Sequence, residues 1–210
     1  MQQKKSKGSL FIVSAPSGAG KTTLCKKIIS RLPNLKFSVS YTTRQPRPGE
    51  INDKDYTFIS RKEFRSMIER DEFLEWAEVH GELYGTFKKR IQDSLLSGND
   101  VILDIDTQGA MKLKKKIKEA VFIFILPPSL DVLNERLEKR MTDSPKALKK
   151  RLERAIYEIK TYSKYDYVII NDIFKDAIRQ LEAIIIAQRA KSEMINSQWI
   201  KENFLNQGAK

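Results

Sequence analysis

A glycine-rich segment near the amino terminus carries the residue types that bind a chain of phosphate groups. It follows an apolar run and consists of Ala15, Pro16, Ser17, Gly18, Ala19, Gly20, Lys21, Thr22 and Thr23. Glycines let backbone N–H groups point inward around phosphate oxygens, and the amino end of a following helix adds positive potential. In such a P-loop, Lys21 would reach the β- and γ-phosphates and the Thr22 hydroxyl would coordinate Mg²⁺. Although Ala15 stands where the strict pattern has glycine, the segment predicts nucleotide binding.

A second apolar run, at 101–106, carries carboxylates at its end. P-loop enzymes need a carboxylate at the end of a neighbouring strand to position Mg²⁺ and its water. Asp104 meets that need, and we predict that it holds Mg²⁺ together with Thr22, partly through water. An apolar strand that ends in aspartate is common, so this prediction depends on the P-loop.

Two arginines three residues apart, Arg44 and Arg47, lie among prolines in the segment from Ser40 to Glu50. The prolines restrict the backbone around them. Guanidinium groups suit phosphate oxygens because their N–H groups form a planar fork. The same pair is equally compatible with a surface salt-bridge site, and these residues alone do not decide between the two.

The elements that must position these residues alternate between short apolar runs and longer segments of helical periodicity. Nearly continuous apolar runs are typical of strands buried in a parallel sheet, and they occur at Leu10 to Ser14, Val101 to Asp106, Val121 to Leu126 and Tyr167 to Asn171. Helices are expected at Lys21 to Leu32, Gly109 to Lys118, Leu130 to Arg140, Pro145 to Tyr162 and Ala177 to Ser192. The alternation predicts an α/β fold with a parallel-sheet P-loop core and flanking helices.

The stretch from about Phe37 to Ser97 has a different sequence pattern. It contains short alternating segments such as Tyr56 to Ile59 and Phe73 to Trp76, with glycine and proline between them and two short helical segments. We interpret it as a small mixed α/β lobe inserted into the core. The predicted division is a single domain over 1–210, with the core at about 8–34 and 98–195, the lobe at about 35–97 and an unassigned tail at about 196–210.

The composition is that of an ordinary globular protein with an excess of positive charge. The chain has 210 residues, of which 40% are hydrophobic and 31% charged, and its formal net charge is +12. The charge suggests an anionic partner, and nucleic acid, a membrane surface and phosphorylated small molecules all qualify. With Cys25 as its one cysteine, the chain cannot form an internal disulfide, which fits a reducing cytoplasm. No apolar run approaches the roughly 18 residues that span a bilayer.

Taken in order, the motifs resemble those of the guanylate kinase family of nucleoside monophosphate kinases. The resemblance runs from about Leu10 to Ile186. Besides the P-loop it rests on Thr42 to Glu50, Asp55-Tyr56, Glu75 to Ala77, Tyr84 to Thr86, Ile102 to Asp106 with Gln108-Gly109, and Asn171-Asp172. It implies transfer of the γ-phosphate of Mg²⁺-ATP to GMP, with dGMP as a second acceptor, giving GDP and ADP.

The resemblance also implies which residues bind GMP. Those that hold its phosphate are Ser40, Arg44, Arg47, Tyr56 and Tyr84. Glu75, Thr86 and Asp106 face the guanine. A carboxylate such as Glu75 accepts from both guanine donors, N1 and N2, and the Thr86 hydroxyl donates to O6. Adenine has no N1 donor, so it would leave the buried carboxylate unpaired and be rejected.

A short helical lid at about 136–151 is implied as well. Its arginines, Arg136, Arg140 and Arg151, match family residues that close over the transferring phosphoryl group, although helix arginines in a charged segment are usually solvated. The implied catalytic set is Lys21, Arg44, Arg136, Arg140 and Arg151. Asn171 matches a residue near the ATP base. Catalysis would come from positioning and charge neutralisation without a side-chain nucleophile.

Three alternatives stay open at the level of sequence. A guanylate-kinase-like interaction module would generally lack a working P-loop, whereas this chain keeps Lys21 and Thr22. A nucleic-acid-binding P-loop ATPase would bind DNA or RNA with a strong dependence on salt. A kinase for another nucleotide is opposed by Glu75 and Thr86. We expect ATP and GMP as partners, no nucleic acid, no membrane and a cytoplasmic location, and we leave assembly into a homo-oligomer open.

Overall fold

Two β-sheets organise the chain, and helices cover the larger one on both faces. The computed structural model describes residues 7–79, 81–139 and 145–205. The strands are β1 (Leu10–Ser14), β2 (Leu35–Phe37), β3 (Tyr41–Thr42), β4 (Thr57–Phe58), β5 (Phe73–Val79), β6 (Glu82–Phe87), β7 (Asp100–Asp104), β8 (Val121–Leu126) and β9 (Tyr167–Ile170). The helices are α1 (Lys21–Ile29), α2 (Arg61–Glu69), α3 (Lys88–Leu96), α4 (Thr107–Lys116), α5 (Leu130–Glu138), α6 (Pro145–Ile159), α7 (Phe174–Arg189) and α8 (Ser197–Ile200).

The larger sheet is parallel, with its strands in the order β2, β7, β1, β8, β9. Every residue of β1 is buried, as its continuous apolar sequence predicts. Because the strands are parallel, their carboxyl ends lie along one edge of the sheet. Val13 near the end of β1 is in register with Asp104 at the end of β7. The loop after β1 therefore lies beside a carboxylate.

The central strand is anchored from both faces of this sheet. Phe11 and Val13 belong to an apolar cluster that includes residues of α1 and α7. Leu10 and Ile12 belong to a second cluster, which includes residues of α3 and α4. Fully burying one such large side chain stabilises a fold by roughly 1.5–3 kcal/mol. The P-loop thus starts from one of the most firmly packed strands.

The smaller sheet lies between β2 and β7 in the sequence and is mixed, with strand order β4, β3, β6, β5. Helix α2 packs on it through Phe64, whose ring stacks on Phe73 with centroids 4.3 Å apart. These rings form a small buried cluster with Met67 and Leu83. Helix α2 starts where the Ser60 hydroxyl accepts a hydrogen bond from the Glu63 N–H, an N-cap.

The predicted fold class is confirmed, and the differences lie mostly at the ends of elements. Strands β1 and β8 have the predicted bounds. Strand β7 ends at Asp104 rather than at Asp106, because the Asp106 carboxylate accepts a hydrogen bond from the Gly109 N–H and caps α4. Strand β2 has no counterpart among the predicted elements, since three residues at a sheet edge carry too little periodicity. The division into core, lobe and lid stays a prediction.

Beyond α7 the chain continues into α8 and one π-helical turn, Lys201–Leu205. Here the rings of Trp199 and Phe204 meet edge to face, with centroids 5.5 Å apart. None of the described helices has both the length and the apolar composition needed to cross a bilayer.

Candidate active site

The P-loop has the backbone geometry that its glycines predict. Gly18 and Gly20 have φ angles of 94° and 90°, in the left-handed region that L side chains rarely adopt. Gly20 immediately precedes α1 and occupies its N-cap position. A Cβ on Gly20 would come within 2.5 Å of the side-chain nitrogen of Asn171. Both the backbone angle and the close neighbour therefore require glycine at this position.

Lys21, the first residue of α1, is held by two oxygen atoms at the carboxyl end of β7. Its Nζ donates to the carbonyl oxygen of Ile105 at 2.6 Å and lies 2.5 Å from Oδ1 of Asp104. Burial lowers the pKa of Lys21, but pairing with Asp104 outweighs it, so the net pKa is raised. Lys21 is therefore a fixed cation at the mouth of the loop.

Asp104 also contacts Thr22, the P-loop residue that is predicted to coordinate Mg²⁺. The Thr22 hydroxyl donates to Oδ2 of Asp104 at 2.7 Å. Hydroxyl and carboxylate oxygens are the ligands that Mg²⁺ prefers, and it usually keeps several waters and substrate phosphates rather than an all-protein cage. The described part of the chain holds no cluster of three or more His, Cys, Asp or Glu side chains that could bind a metal. The donor set fits Mg²⁺ bound together with a nucleotide.

Asn171, which follows β9, supports the P-loop directly. Its side-chain Nδ2 donates to the backbone carbonyl oxygen of Ala19 at 2.8 Å. Its backbone carbonyl oxygen accepts from Nη2 of Arg136 at 3.1 Å. The residue is 5% exposed. The resemblance assigned Asn171 to the ATP base, and the structure adds a contact to the phosphate loop that the sequence did not reveal.

Two of the three predicted lid arginines lie beside the phosphate-binding elements. Arg136 on α5 reaches Asn171, and Nη2 of Arg151 on α6 donates to the Ser17 hydroxyl of the P-loop at 2.9 Å. Arg140, the third, lies outside the described residues. The described pair brings positive charge from two helices to the loop where the transferring phosphate is expected.

Arg44 forms the centre of the predicted GMP-phosphate site in the smaller sheet. Its guanidinium donates from Nη1 to Oε2 of Glu50 at 3.0 Å and from Nη2 to Oε1 at 2.9 Å. The Cζ atom lies 5.3 Å from the centre of the Tyr56 ring. The hydrogen bond that Arg44 donates to Glu50 is the main reason why the pKa of Arg44 is raised, and the same contact lowers the pKa of Glu50.

The other residues predicted to bind the GMP phosphate differ in how close they lie to Arg44. The rings of Tyr56 and Tyr84 meet edge to face with centroids 6.0 Å apart. The carbonyl oxygen of Ser40 accepts from the Thr57 N–H at 2.9 Å, which holds the start of β3 against β4. Arg47 is exposed. The structure thus brings Arg44 and the two tyrosines together, with the side chain of Arg47 at the rim.

The predicted guanine residues meet at the junction of β5, β6 and α4. The Thr86 hydroxyl donates to Oε1 of Glu75 at 2.7 Å, and Gly109 lies between Glu75 and Asp106. A Cβ on Gly109 would come within 2.9 Å of Oε2 of Glu75. Burial raises the pKa of Glu75 to about 7, while the hydrogen bond from Thr86 lowers it by a smaller amount.

Thr86 has one hydroxyl proton, and in this structure Glu75 accepts it. While Thr86 orients the carboxylate in this way, it cannot also donate to the O6 atom of a guanine. The two uses of the hydroxyl therefore alternate. The sequence predicted that the two residues act on one base but did not predict their contact, because only the pairing of β5 with β6 places Glu75 opposite Thr86.

Sequence reasoning also missed a contact between the smaller sheet and the core. Nζ of Lys26 on α1 lies 3.0 Å from Oδ1 of Asp55, in the turn just before Tyr56. No local pattern joins residues this far apart in the chain. The contact between Glu50 and Arg44 did have a signal in the sequence, because an acidic residue follows two arginines in the proline-rich segment.

Comparisons with known proteins agree with this geometry. A family model described as guanylate kinase matches residues 7–188. A guanylate kinase from Geobacter metallireducens is 52% identical over 188 residues, which cover 90% of this chain and 93% of the relative. One from Clostridium perfringens is 44% identical over 202 residues, covering 96% and 91%. The crystal structure of guanylate kinase from Anaplasma phagocytophilum superposes with a TM-score of 0.79 at 33% identity, covering 96% of this chain and 97% of that one.

Proposed function

The chain belongs to the guanylate kinase family and transfers a phosphoryl group from ATP to GMP, and we propose that the residues described above bind the two nucleotides. The observation that carries the assignment of the acceptor is the buried Glu75 carboxylate, held by Thr86 beside Asp106. A carboxylate in this position pairs with the N1 and N2 donors of guanine. Adenine, cytosine and uracil do not offer that pair of donors.

On the donor side, the proposal assigns the triphosphate of ATP to the P-loop. The amino end of α1 favours negative charge, and the glycine geometry turns backbone N–H groups toward it. Lys21 is fixed close to the loop by Ile105 and Asp104. Arg136 and Arg151 add positive charge from the helices that pack over the loop.

Mg²⁺ is assigned to Thr22 and Asp104, whose oxygens are 2.7 Å apart. When bound by these two residues, the ion would neutralise charge on the phosphate oxygens. Burial raises the pKa of Tyr56, and the charge of Asp104 adds to the rise while Arg44 and Lys21 oppose it.

The proposed mechanism is positioning plus charge neutralisation. Arg44 and the two tyrosines hold the GMP phosphate as the attacking group, while Lys21 and the lid arginines offset charge on the transferring phosphoryl group. No side chain forms a covalent bond. Closure of the small sheet and the lid over both nucleotides would exclude water that otherwise hydrolyses ATP.

The cytoplasmic location, the lack of nucleic-acid and membrane partners, and any homo-oligomer stay predictions.

The test is ADP formation from Mg²⁺-ATP with GMP, AMP, CMP or UMP as acceptor. We expect turnover with GMP well above that with the other three, and its loss in Lys21→Ala. Glu75→Gln should lower kcat/KM for GMP, because an amide presents one acceptor to two guanine donors. Equal turnover with AMP and GMP, or full activity in Glu75→Gln, would contradict the assignment of the guanine site.

A further inference from the structure

Glu50 contacts both arginines of the predicted phosphate site. Its two carboxylate oxygens accept from Nη1 and Nη2 of Arg44 at 3.0 and 2.9 Å, a two-pronged ion pair. Its Oε2 also accepts from the backbone N–H of Arg47 at 2.7 Å. One carboxylate thereby fixes the side chain of the first arginine and the backbone of the second.

The contacts on Arg44 leave part of its guanidinium for a second anion. The group has five N–H donors. Glu50 takes two, and the carbonyl oxygen of Gln45 takes another at 2.7 Å from Nη1. The two remaining N–H groups, one on Nε and one on Nη2, form the other edge of the guanidinium, the fork that fits two oxygens of a phosphate. Tyr84, another predicted phosphate residue, is also a hydrogen-bond partner of Arg44, so the ligand would bind Arg44 together with Tyr84.

Aromatic rings hold the plane of the same guanidinium. Its Cζ lies 5.3 Å from the Tyr56 ring centre and 5.7 Å from that of Phe58. The Arg44 and Glu50 side chains are 15% and 20% exposed, so solvent screens their contact only in part. An arginine fixed in this way loses less rotamer freedom when it binds a ligand than a free one does.

Two effects of Glu50 oppose each other. Its negative charge offsets part of the positive charge of Arg44, which weakens the attraction for phosphate. Its geometry, however, orders Arg44 before the ligand arrives and turns the two remaining N–H groups to one side. The proposal requires that ordering outweigh the lost attraction, and the change in KM for GMP when Glu50 is removed measures which effect is larger.

We propose that Glu50 is a positioning residue for the acceptor phosphate, acting through Arg44 and the Arg47 backbone. The inference rests on the proposed function, in which Arg44 binds the phosphate of GMP. It adds a residue that does not itself touch the nucleotide but decides where the arginine fork points.

The test compares Glu50→Ala and Glu50→Gln with Glu69→Gln, a control that changes an exposed acidic residue on α2 of the same lobe. We expect KM for GMP to rise about tenfold in Glu50→Ala, since hydrogen bonds to a charged group are lost, and by less in Glu50→Gln, which keeps one acceptor. KM for ATP should change less than twofold. Guanosine, which has no phosphate, should bind the variants as it binds the parent.

Double substitution separates positioning from a general structural role. In an Arg44→Ala background, Glu50→Ala should raise KM for GMP by less than it does alone, because only its contact with the Arg47 backbone remains. Unchanged or improved affinity for GMP in Glu50→Ala, an equal loss for guanosine, or an additive loss in the double variant would each overturn the proposal. If Arg44→Ala alone leaves KM for GMP unchanged, the assignment of Arg44 fails as well, so the two failures are distinguishable.

Discussion

Glu75 combines deep burial with a hydrogen bond, and its chemistry follows from both. The residue is 9% exposed, and burial raises the pKa of its carboxyl to about 7, above an ordinary value of 4.5. The side chain therefore changes charge close to neutral pH in the absence of nucleotide. Because guanine donates two hydrogen bonds, it favours the ionised form, and GMP binding should release the proton that the free protein holds.

This residue should make the stability of the protein depend on pH in a defined direction. The folded protein binds the Glu75 proton more tightly than the unfolded chain, so this contribution is fully present below about pH 4.5 and is lost as the pH rises toward 7. A shift of this size corresponds to about 3 kcal/mol. Since glutamine does not ionise, Glu75→Gln should gain stability relative to the parent between pH 5 and 8, as measured by urea unfolding.

The matched control is Glu78→Gln, which changes an exposed acidic residue on the same strand. Its stability difference from the parent should stay nearly constant over the same pH range. If Glu75→Gln and the parent differ by the same amount at pH 5 and pH 8, the carboxyl does not titrate in the folded protein in this range and the expected proton linkage is absent.

At the scale of elements, the P-loop depends on a strand and a helix end that are far apart in the sequence. Strand β1 delivers the loop, α1 supplies its positive end, and Asn171 after β9 fixes its backbone through Ala19. Gly20 lies against Asn171, so the loop and the end of β9 form one packed unit. A substitution in either part should therefore weaken the binding of ATP more than the binding of GMP.

Gly20→Ala tests this unit. The substitution places a Cβ 2.5 Å from the side-chain nitrogen of Asn171 at a φ of 90°, so both strain and collision should distort the loop. Non-glycine residues in this conformation cost roughly 1–2 kcal/mol even where there is space. We expect KM for ATP to rise at least tenfold, with a smaller change in the binding of GMP. Steady-state kinetics with each substrate varied in turn gives both values.

Gly98→Ala is the control for strain alone. Gly98 has a φ of 76° in a turn between α3 and β7, and a Cβ there would have no neighbour within 4 Å. It should lower the melting temperature without changing KM for ATP. A rise in KM for ATP of the same size in both variants would show that general loss of stability, and not distortion of the P-loop at Gly20, is responsible.

Much of the fold and part of the site were predictable from local patterns. The core strands β1 and β8 are continuous apolar runs, and the phosphate loop lies between β1 and α1. The pattern of a buried strand and the pattern of the phosphate loop are therefore adjacent in the sequence. The short strands β2, β3 and β4 were harder, because two or three residues have no measurable period. The contacts of Asn171 and Thr86 were not predictable, since they depend on which strands become neighbours.

At the scale of the whole molecule, an ion pair connects the part proposed to bind ATP with the part proposed to bind GMP. Lys26 lies on α1, one turn beyond the P-loop lysine, and Asp55 directly precedes Tyr56 of the acceptor site. The Asp55 carboxylate also accepts from the Ile51 N–H at 3.1 Å and so holds its own turn in shape. The pair therefore joins a donor helix to an acceptor turn and favours the arrangement in which the two sites face each other.

The Lys26 side chain is 63% exposed, so salt screens the pair and its effect on closure should be small but measurable. We expect Lys26→Ala to raise KM for GMP about two- to fivefold at low salt and by less at high salt, because closure around the acceptor loses one attraction. Lys27→Ala, at the next position of α1, which is also exposed, should leave KM for GMP unchanged at either salt concentration.

Charge exchange decides whether the pair itself is responsible. Lys26→Asp and Asp55→Lys should each raise KM for GMP, and the double variant should recover part of the loss, because the attraction between α1 and the turn is restored with its signs reversed. Recovery will be incomplete, since lysine at position 55 cannot accept the Ile51 N–H that Asp55 accepts. A double variant no better than the worse single variant would mean that Asp55 acts only by shaping its own turn, and that the two halves come together without this ion pair.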